Sequence, residues 1–192
     1  MKHLKIVLLA VLTLFAASAC SQTNPNNPMK KKKVLVTYFS ATGTTKQVAM
    51  QIAKITDADI CEIVPVITYS GADLDWTNKQ SRSSIEMANP QARPDIMPIN
   101  YDLKNYDCIF LGYPIWWDLA PRVINTFIER NDSLTGLTII PFATSGGSAI
   151  TGSAAALKKL YPQINWQTGM LLNHVSENDI KAWCNKMGLV AL

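Results

Sequence analysis

Val34-Leu35-Val36-Thr37-Tyr38-Phe39-Ser40-Ala41-Thr42-Gly43-Thr44-Thr45 is the stretch on which the fold turns. Its first half, Val34 to Phe39, is apolar, β-branched and aromatic, the composition of a strand. Its second half carries hydroxyl side chains at Ser40, Thr42, Thr44 and Thr45, with Gly43 among them. From Thr44 to Ile55 the pattern changes period: Val48, Ile52 and Ile55 fall on one helical face. A strand that runs through a tight polar turn straight into a helix is the opening unit of an α/β fold.

Working outward, the alternation continues. Ala58 to Val66 reads as a second strand, ended by Pro65 or shortly after. Ile67 to Pro98 is irregular, with a short helix expected near Gln80 to Ala88. Strands are expected at Tyr106 to Gly112, Leu137 to Ala143 and Trp166 to Leu172, and helices at Leu119 to Arg130, Thr151 to Leu160 and Ser176 to Met187. Pro121 is expected in the first turn of its helix, where a missing N–H costs nothing. Ser176 can cap the last helix and Gly188 can end it. Cys108-Ile109-Phe110-Leu111 and Thr138-Ile139-Ile140-Pro141-Phe142 are continuously apolar. Strands of that kind are buried on both faces, so the fold class is α/β, a doubly wound five-stranded parallel sheet with helices on both sides.

Ligands in such sheets lie beyond the carboxyl ends of the strands, so the loops after strands carry the candidate site. Ser40-Ala41-Thr42-Gly43-Thr44-Thr45 offers backbone amides, a helix N-terminus and hydroxyl donors, the parts of an anion cradle. It lacks the Lys of a nucleoside-triphosphate loop and the spacing of a dinucleotide fingerprint. A terminal monophosphate suits it better. The plainer reading is a polar turn that caps a helix. Pro114-Ile115-Trp116-Trp117, after the third strand, sets two adjacent indoles where they can stack on a flat ring; core filling is the competing reading for either one alone. Thr144-Ser145-Gly146-Gly147, after the fourth strand, lets backbone amides approach a ligand closely, or is simply a flexible turn.

The N-terminus reads as a processing segment. Lys2, His3 and Lys5 precede an apolar run from Ile6 to Ala17, short for a membrane span. Ala17-Ser18-Ala19-Cys20 resembles a bacterial lipoprotein signal, with Ala17 where Leu is usual. That resemblance implies a signal peptide over residues 1–20, acylation of Cys20, export to the cell envelope and a membrane anchor. Ser21 to Lys33 is a tether, and the domain proper is expected over 34–192.

Charge and cysteine content narrow the function further. Of 18 Lys and Arg, six lie at or before Lys33, leaving 12 against 14 acidic residues from Val34 onward. That slightly acidic balance argues against nucleic acid. Cys61, Cys108 and Cys184 lack paired spacing, and His174 is the one histidine outside the leader. Free buried thiols are expected, and no metal site.

Taken together, the three loops resemble the flavodoxin family. Ser40-x-Thr42-Gly43-x-Thr45 matches its phosphate motif directly after the first strand, and the loops at 114–118 and 144–148 fall where the family holds the isoalloxazine ring. The resemblance implies strand order 2-1-3-4-5 and FMN as cofactor. It also implies redox work, either electron transfer to a partner protein or NAD(P)H-linked reduction of a small quinone-like acceptor. One departure bears on one-electron work: no Gly occurs between Tyr113 and Leu119. Another is the long 67–98 insert, which contains Tyr69, Trp76, Arg82, Glu86 and Arg93 and is suspected of narrowing access to the flavin.

Two other classes compete. Ala143-Thr144-Ser145-Gly146-Gly147 reads as A-x-S-x-G, close to the nucleophile elbow of a serine hydrolase using Ser145. That order needs an acid before the histidine, and Gly146 to Asn173 contains none. The third class is a non-catalytic lipoprotein that has lost its cofactor.

Overall fold

The computed structural model describes residues 32–190. The signal over 1–20, Cys20 and most of the tether lie outside the described residues. Lys33, read as part of that tether, already belongs to the folded body: its N–H donates to Asp107 Oδ2 at 2.7 Å and its ammonium sits 4.7 Å from the Tyr106 ring centroid.

β1 (Val34–Tyr38) is an interior strand of a parallel sheet, between β2 (Asp59–Glu62) and β3 (Cys108–Pro114). β4 (Thr138–Thr144) pairs with the far side of β3, and β5 (Asn165–Trp166) pairs with β4, giving the order β2-β1-β3-β4-β5. Every residue of β1 is buried, and almost all of β3 and β4, as their unbroken apolar runs require.

Helices cover both faces. α1 (Thr44–Thr56) and α5 (Glu177–Lys186) bury Val48, Ala49, Ile52, Ile180 and Cys184 against Val34, Val36 and Phe110. On the other face α3 (Arg122–Glu129) and α4 (Ile150–Leu160) bury Val123, Ile124, Phe127 and Leu157 against Leu35, Ile109 and Leu111. Strand alternation sends successive side chains to opposite layers, which explains how one strand feeds both cores.

Three elements depart from the sequence expectation. The fifth strand is split: β6 (Met170–Leu171) follows β5 after a three-residue break, and both are parallel to β4. Pro141 has no N–H to give a ladder, and the register slips by one residue across it, from Ile139↔Trp166 to Phe142↔Met170. The second strand stops at Glu62. Beyond it Pro65 bridges antiparallel to Ile96, so the chain turns into the insert earlier than its apolar content suggests. Helix α3 begins at Arg122, and Pro121 is its extended N-cap (ψ 149°) rather than a first-turn residue. Leu119 is held back by paired backbone bonds to Trp116.

The insert is latched to α3. α2 (Arg82–Ala88), capped by the Ser81 hydroxyl, ends against the Arg122 guanidinium, which donates to the carbonyls of Glu86 (3.3 Å) and Met87 (2.9 Å). Thr126 Oγ1 donates to Pro94 O at 2.9 Å, and Arg93 forks onto Glu129 with two bonds of 2.7 Å. Polar contacts to backbone at this density fix a loop segment that has little apolar burial of its own.

Two predictions arise here, one on stability and one on thiol reactivity. Thr37 is fully buried in β1, and its hydroxyl has no hydrogen-bond partner among the described residues. An unsatisfied buried hydroxyl costs about 1–3 kcal/mol, so Thr37→Val is expected to raise stability by about 1 kcal/mol. Chemical denaturation checks this, and a lower midpoint would contradict it. The thiols of Cys61, Cys108 and Cys184 are free and buried. Burial pushes Cys108 and Cys184 up to about 11, and Cys61 upward as well with help from Glu62. Thiolate is the reactive form, so the folded domain should resist iodoacetamide from pH 7 to 9 and react at all three positions once unfolded. Mass spectrometry after alkylation reads the outcome; rapid native labelling would be the contrary result.

Candidate functional site

At the carboxyl end of β1 the chain turns through Ser40–Gly43 into α1. The Gly43 N–H donates to Ser40 Oγ at 3.1 Å, which closes the turn. Gly43 sits at the helix N-cap with φ 91°, a left-handed conformation that glycine adopts without a Cβ penalty. Among the described residues no side chain caps α1, and no acidic residue lies in its first turn. The helix therefore keeps its N-terminal donors and its positive dipole end for a ligand. α2 and α5, by contrast, are closed by serine caps.

The hydroxyls of this turn divide into two groups. Thr42 and Thr44 are exposed, with their oxygens 3.5 Å apart, and both line a cleft of about 600 Å³. Thr45 is 1 % exposed and shares a 2.8 Å hydrogen bond with Thr144 Oγ1, tying the first loop to the end of β4. Ala41 faces a second space, described below.

The opposite rim of the cleft is formed after β4. Ser145 is pinned by Asn173: the Ser145 N–H donates to Asn173 Oδ1 at 2.7 Å, and Asn173 Nδ2 donates to Ser145 O. Ser145 Oγ accepts from the amides of Gly147 (3.2 Å) and Ser148 (2.8 Å). The hydroxyl thus organises its own turn. Among the described residues its bonds go to those amides and to no imidazole or carboxylate, so the arrangement of a hydrolase nucleophile is not formed. Ser145, Gly146, Asn173 and His174 line the cleft, and His174 holds a left-handed φ of 50°. A Cβ at Gly146 or Gly147 would meet nothing within 4 Å, so this rim is open.

Between these rims stands the loop after β3. Pro114, Ile115 and Trp116 line the cleft on one side and a separate alcove of about 390 Å³ on the other. Trp116 is half-buried and packs edge-on against Phe39 (5.7 Å between centroids) and Tyr69 (5.2 Å). Trp117 is 46 % exposed. Trp116 and Leu119 exchange backbone bonds of 2.9 and 3.0 Å, so Trp117 and Asp118 form a two-residue turn with φ of 46° and 61°. Two left-handed residues in succession, neither of them glycine, are strained, and strain of this kind gathers at ligand sites. The two indoles therefore differ in role: one is buttressed, one is presented.

The insert completes the alcove. Leu74, Trp76 and Ser83 line it, together with Ala41, Thr42 and Trp117. Tyr69 anchors this wall. Its hydroxyl donates to Glu86, and Arg82 lies 4.0 Å over its ring while donating to Glu86 Oε1 at 2.6 Å. Burial and the Glu86 bond hold the Tyr69 phenol protonated far above its ordinary range. The insert thus reaches the alcove through Leu74, Trp76 and Ser83. Asn173 and His174 were missed in the sequence. The signal available for them was position, since they follow the last strand as the three chosen loops follow theirs.

The residues present suit a phosphate-bearing cofactor with a flat ring: an uncapped helix N-terminus and two exposed hydroxyls for the anion, then an indole and open backbone for the ring. Comparison with known proteins agrees. A family model described as flavodoxin matches residues 33–187. The crystal structure of a candidate flavoprotein from Bacteroides eggerthii is 52 % identical, with a TM-score of 0.78, over 82 % of this chain and 99 % of that one. A second, from Bacteroides uniformis, is 49 % identical with a TM-score of 0.77, over 81 % and 99 %. A Lactobacillus acidophilus flavoprotein crystallised in complex with FMN shares the fold at 23 % identity and a TM-score of 0.62, over 79 % and 98 %. No curated protein matches the chain. With the family match spanning nearly the whole described body, the chain belongs to the flavodoxin family.

Proposed function

We propose that this protein binds FMN in the cleft between the 40–45 turn, the Pro114–Trp117 loop and the Thr144–Gly147 loop, and works as an FMN-dependent redox protein. The observation that carries the reading is the convergence of all three loops on one cleft, with an uncapped helix N-terminus at its anion end. Thr42, Thr44 and the first amides of α1 would hold the phosphate. Trp116 and the amides near Gly146 would hold the ring. When bound, the flavin supplies the electron chemistry, and the protein supplies position and shielding from water. The FMN complex of the Lactobacillus acidophilus protein supports the choice of cofactor on the shared fold.

Within that reading the electrons go to a redox partner protein or to a small quinone-like acceptor, with NAD(P)H as a donor in the second case. Stepwise reduction of the FMN-loaded protein separates the two. A carrier passes through a distinct third spectral species, whereas an NAD(P)H-linked reductase bleaches with clean isosbestic points. Failure to take up FMN at all would remove both.

We also propose that the protein is an exported lipoprotein anchored to the membrane through Cys20. The small-residue run that ends at Cys20 supports this. Mass spectrometry of the membrane fraction should find Cys20 acylated, and Cys20→Ala should release the protein; an unmodified cysteine would refute the anchor.

A further inference from the structure

From the alcove beside the cofactor cleft we infer a second ligand site, one that takes a neutral, planar, one- or two-ring aromatic molecule. As the seat of an electron acceptor it rests on the flavin reading above; as a binding site it stands on its own residues. Four observations carry it. The alcove is a formed space of about 390 Å³, at the small end of ligand pockets. Two of its walls are indoles turned toward solvent: Trp117 is 46 % exposed on a strained turn, and Trp76 is 75 % exposed in the turns of the insert that precede α2. Large aromatic side chains held out beside a cavity are suited to stacking on a flat ring.

Among the described residues no charged side chain lines the space. The nearby Arg82 and Glu86 are engaged with each other and with Tyr69. An anionic ligand such as the pyrophosphate of a dinucleotide would lose hydration there without gaining a cationic partner. Finally, the alcove has two hydroxyls, Thr42 on the wall it shares with the cleft and Ser83 on the insert side. Ser83 is 2 % exposed, lines the alcove, and its hydroxyl touches Ser81 Oγ at 3.5 Å, the outer limit of a hydrogen bond. That hydroxyl is positioned to donate to a ring carbonyl or similar acceptor atom.

The cleft and the alcove share Thr42, Pro114, Ile115 and Trp116 as a common wall. The cleft holds most of the polar groups and the alcove most of the apolar ones, so the two spaces select different ligands across a few side chains.

The test is equilibrium dialysis of 2,3-dimethyl-1,4-naphthoquinone, and of naphthoquinone-2-sulfonate as the charged analogue, against the full-length protein with and without FMN. FMN binding is measured separately by flavin absorbance. The expected result is saturable binding of the neutral quinone to both forms, with the sulfonate bound at least about tenfold more weakly. Trp76→Ala, at a solvent-facing position that leaves folding intact, weakens the quinone about tenfold and leaves FMN affinity within twofold. Ser83→Ala weakens it about fivefold. Quinone binding that FMN abolishes would make the alcove part of the cofactor's own seat and overturn the proposal. So would equal affinity for both quinones, indifference to Trp76→Ala, or no binding to either form. Retained quinone binding in a protein that takes up no FMN would support this site and overturn the flavin reading instead.

Discussion

Thr44→Asp weakens FMN binding on the order of 100-fold and leaves the domain at least as stable as the parent. The two halves of that result come from the same charge. Thr44 is the first residue of α1, exposed, with its hydroxyl in the cleft beside Thr42. A carboxylate at a helix N-terminus is favourable by about 0.3–1 kcal/mol, and α1 has no acidic residue there. The same carboxylate would stand where the phosphate is held. At about 4 Å, like unit charges repel by about 1–4 kcal/mol at surface-to-intermediate dielectric, and a phosphate carries nearly two. Flavin titration and thermal melting on one sample separate the terms. If the variant binds FMN within threefold of the parent, the phosphate does not sit at this turn. A destabilised variant would mean that α1 is not the open helix end described here.

Gly112→Val is the second large effect, on stability alone. Gly112 lies in β3 opposite Phe142 in β4, in the most buried part of the sheet. A Cβ at Gly112 would fall 2.1 Å from Phe142 Cζ, and the other ring carbons follow at 2.5 and 2.7 Å. Neither strand can retreat, because both are paired on either side and covered by helices. Overpacking of this severity costs about 3 kcal/mol or more, a melting-temperature loss of roughly 6–12 °C in a domain of this size. Gly146→Ala serves as the control. A methyl there meets nothing within 4 Å, so it stays within about 0.5 kcal/mol of the parent. Phe142→Leu introduced with Gly112→Val should return part of the loss, since the clash is with the ring. A Gly112→Val protein as stable as the parent would contradict the packing.

Much of this was legible in the sequence because the signals are local and repeated. The apolar runs at Val34–Phe39, Cys108–Leu111 and Thr138–Phe142 read directly as buried parallel strands, and Ser176 with Gly188 marked both ends of the last helix. The flavodoxin match spans residues 33–187, which include the strand–turn–helix stretch from which the reading began. What the sequence did not give depends on contacts distant along the chain. The split of the fifth strand follows from Pro141, whose effect is on its neighbour strand rather than its own. Thr42 and Thr45 look alike in the motif, yet Thr45 is buried against Thr144, 99 residues away. The pairing of Tyr69 with Trp116, and of Asn173 with Ser145, joins segments that no spacing rule connects. The division of the two adjacent tryptophans was half legible: core filling competed with stacking for either one, and only the left-handed turn at Trp117 and Asp118 shows which one is presented.

The central claim is that the 40–45 turn and the uncapped end of α1 form a phosphate site at the head of a flavin cleft. Its most direct test compares FMN with riboflavin, which is the same ring without the phosphate, by fluorescence titration of the purified protein. Charge-assisted hydrogen bonds from two hydroxyls and the helix amides each contribute about 1.5–3 kcal/mol. FMN should therefore bind with one-to-one stoichiometry and quenched flavin emission, at least about 100-fold more tightly than riboflavin. Equal affinity for the two flavins, or saturable binding of neither, would contradict the account.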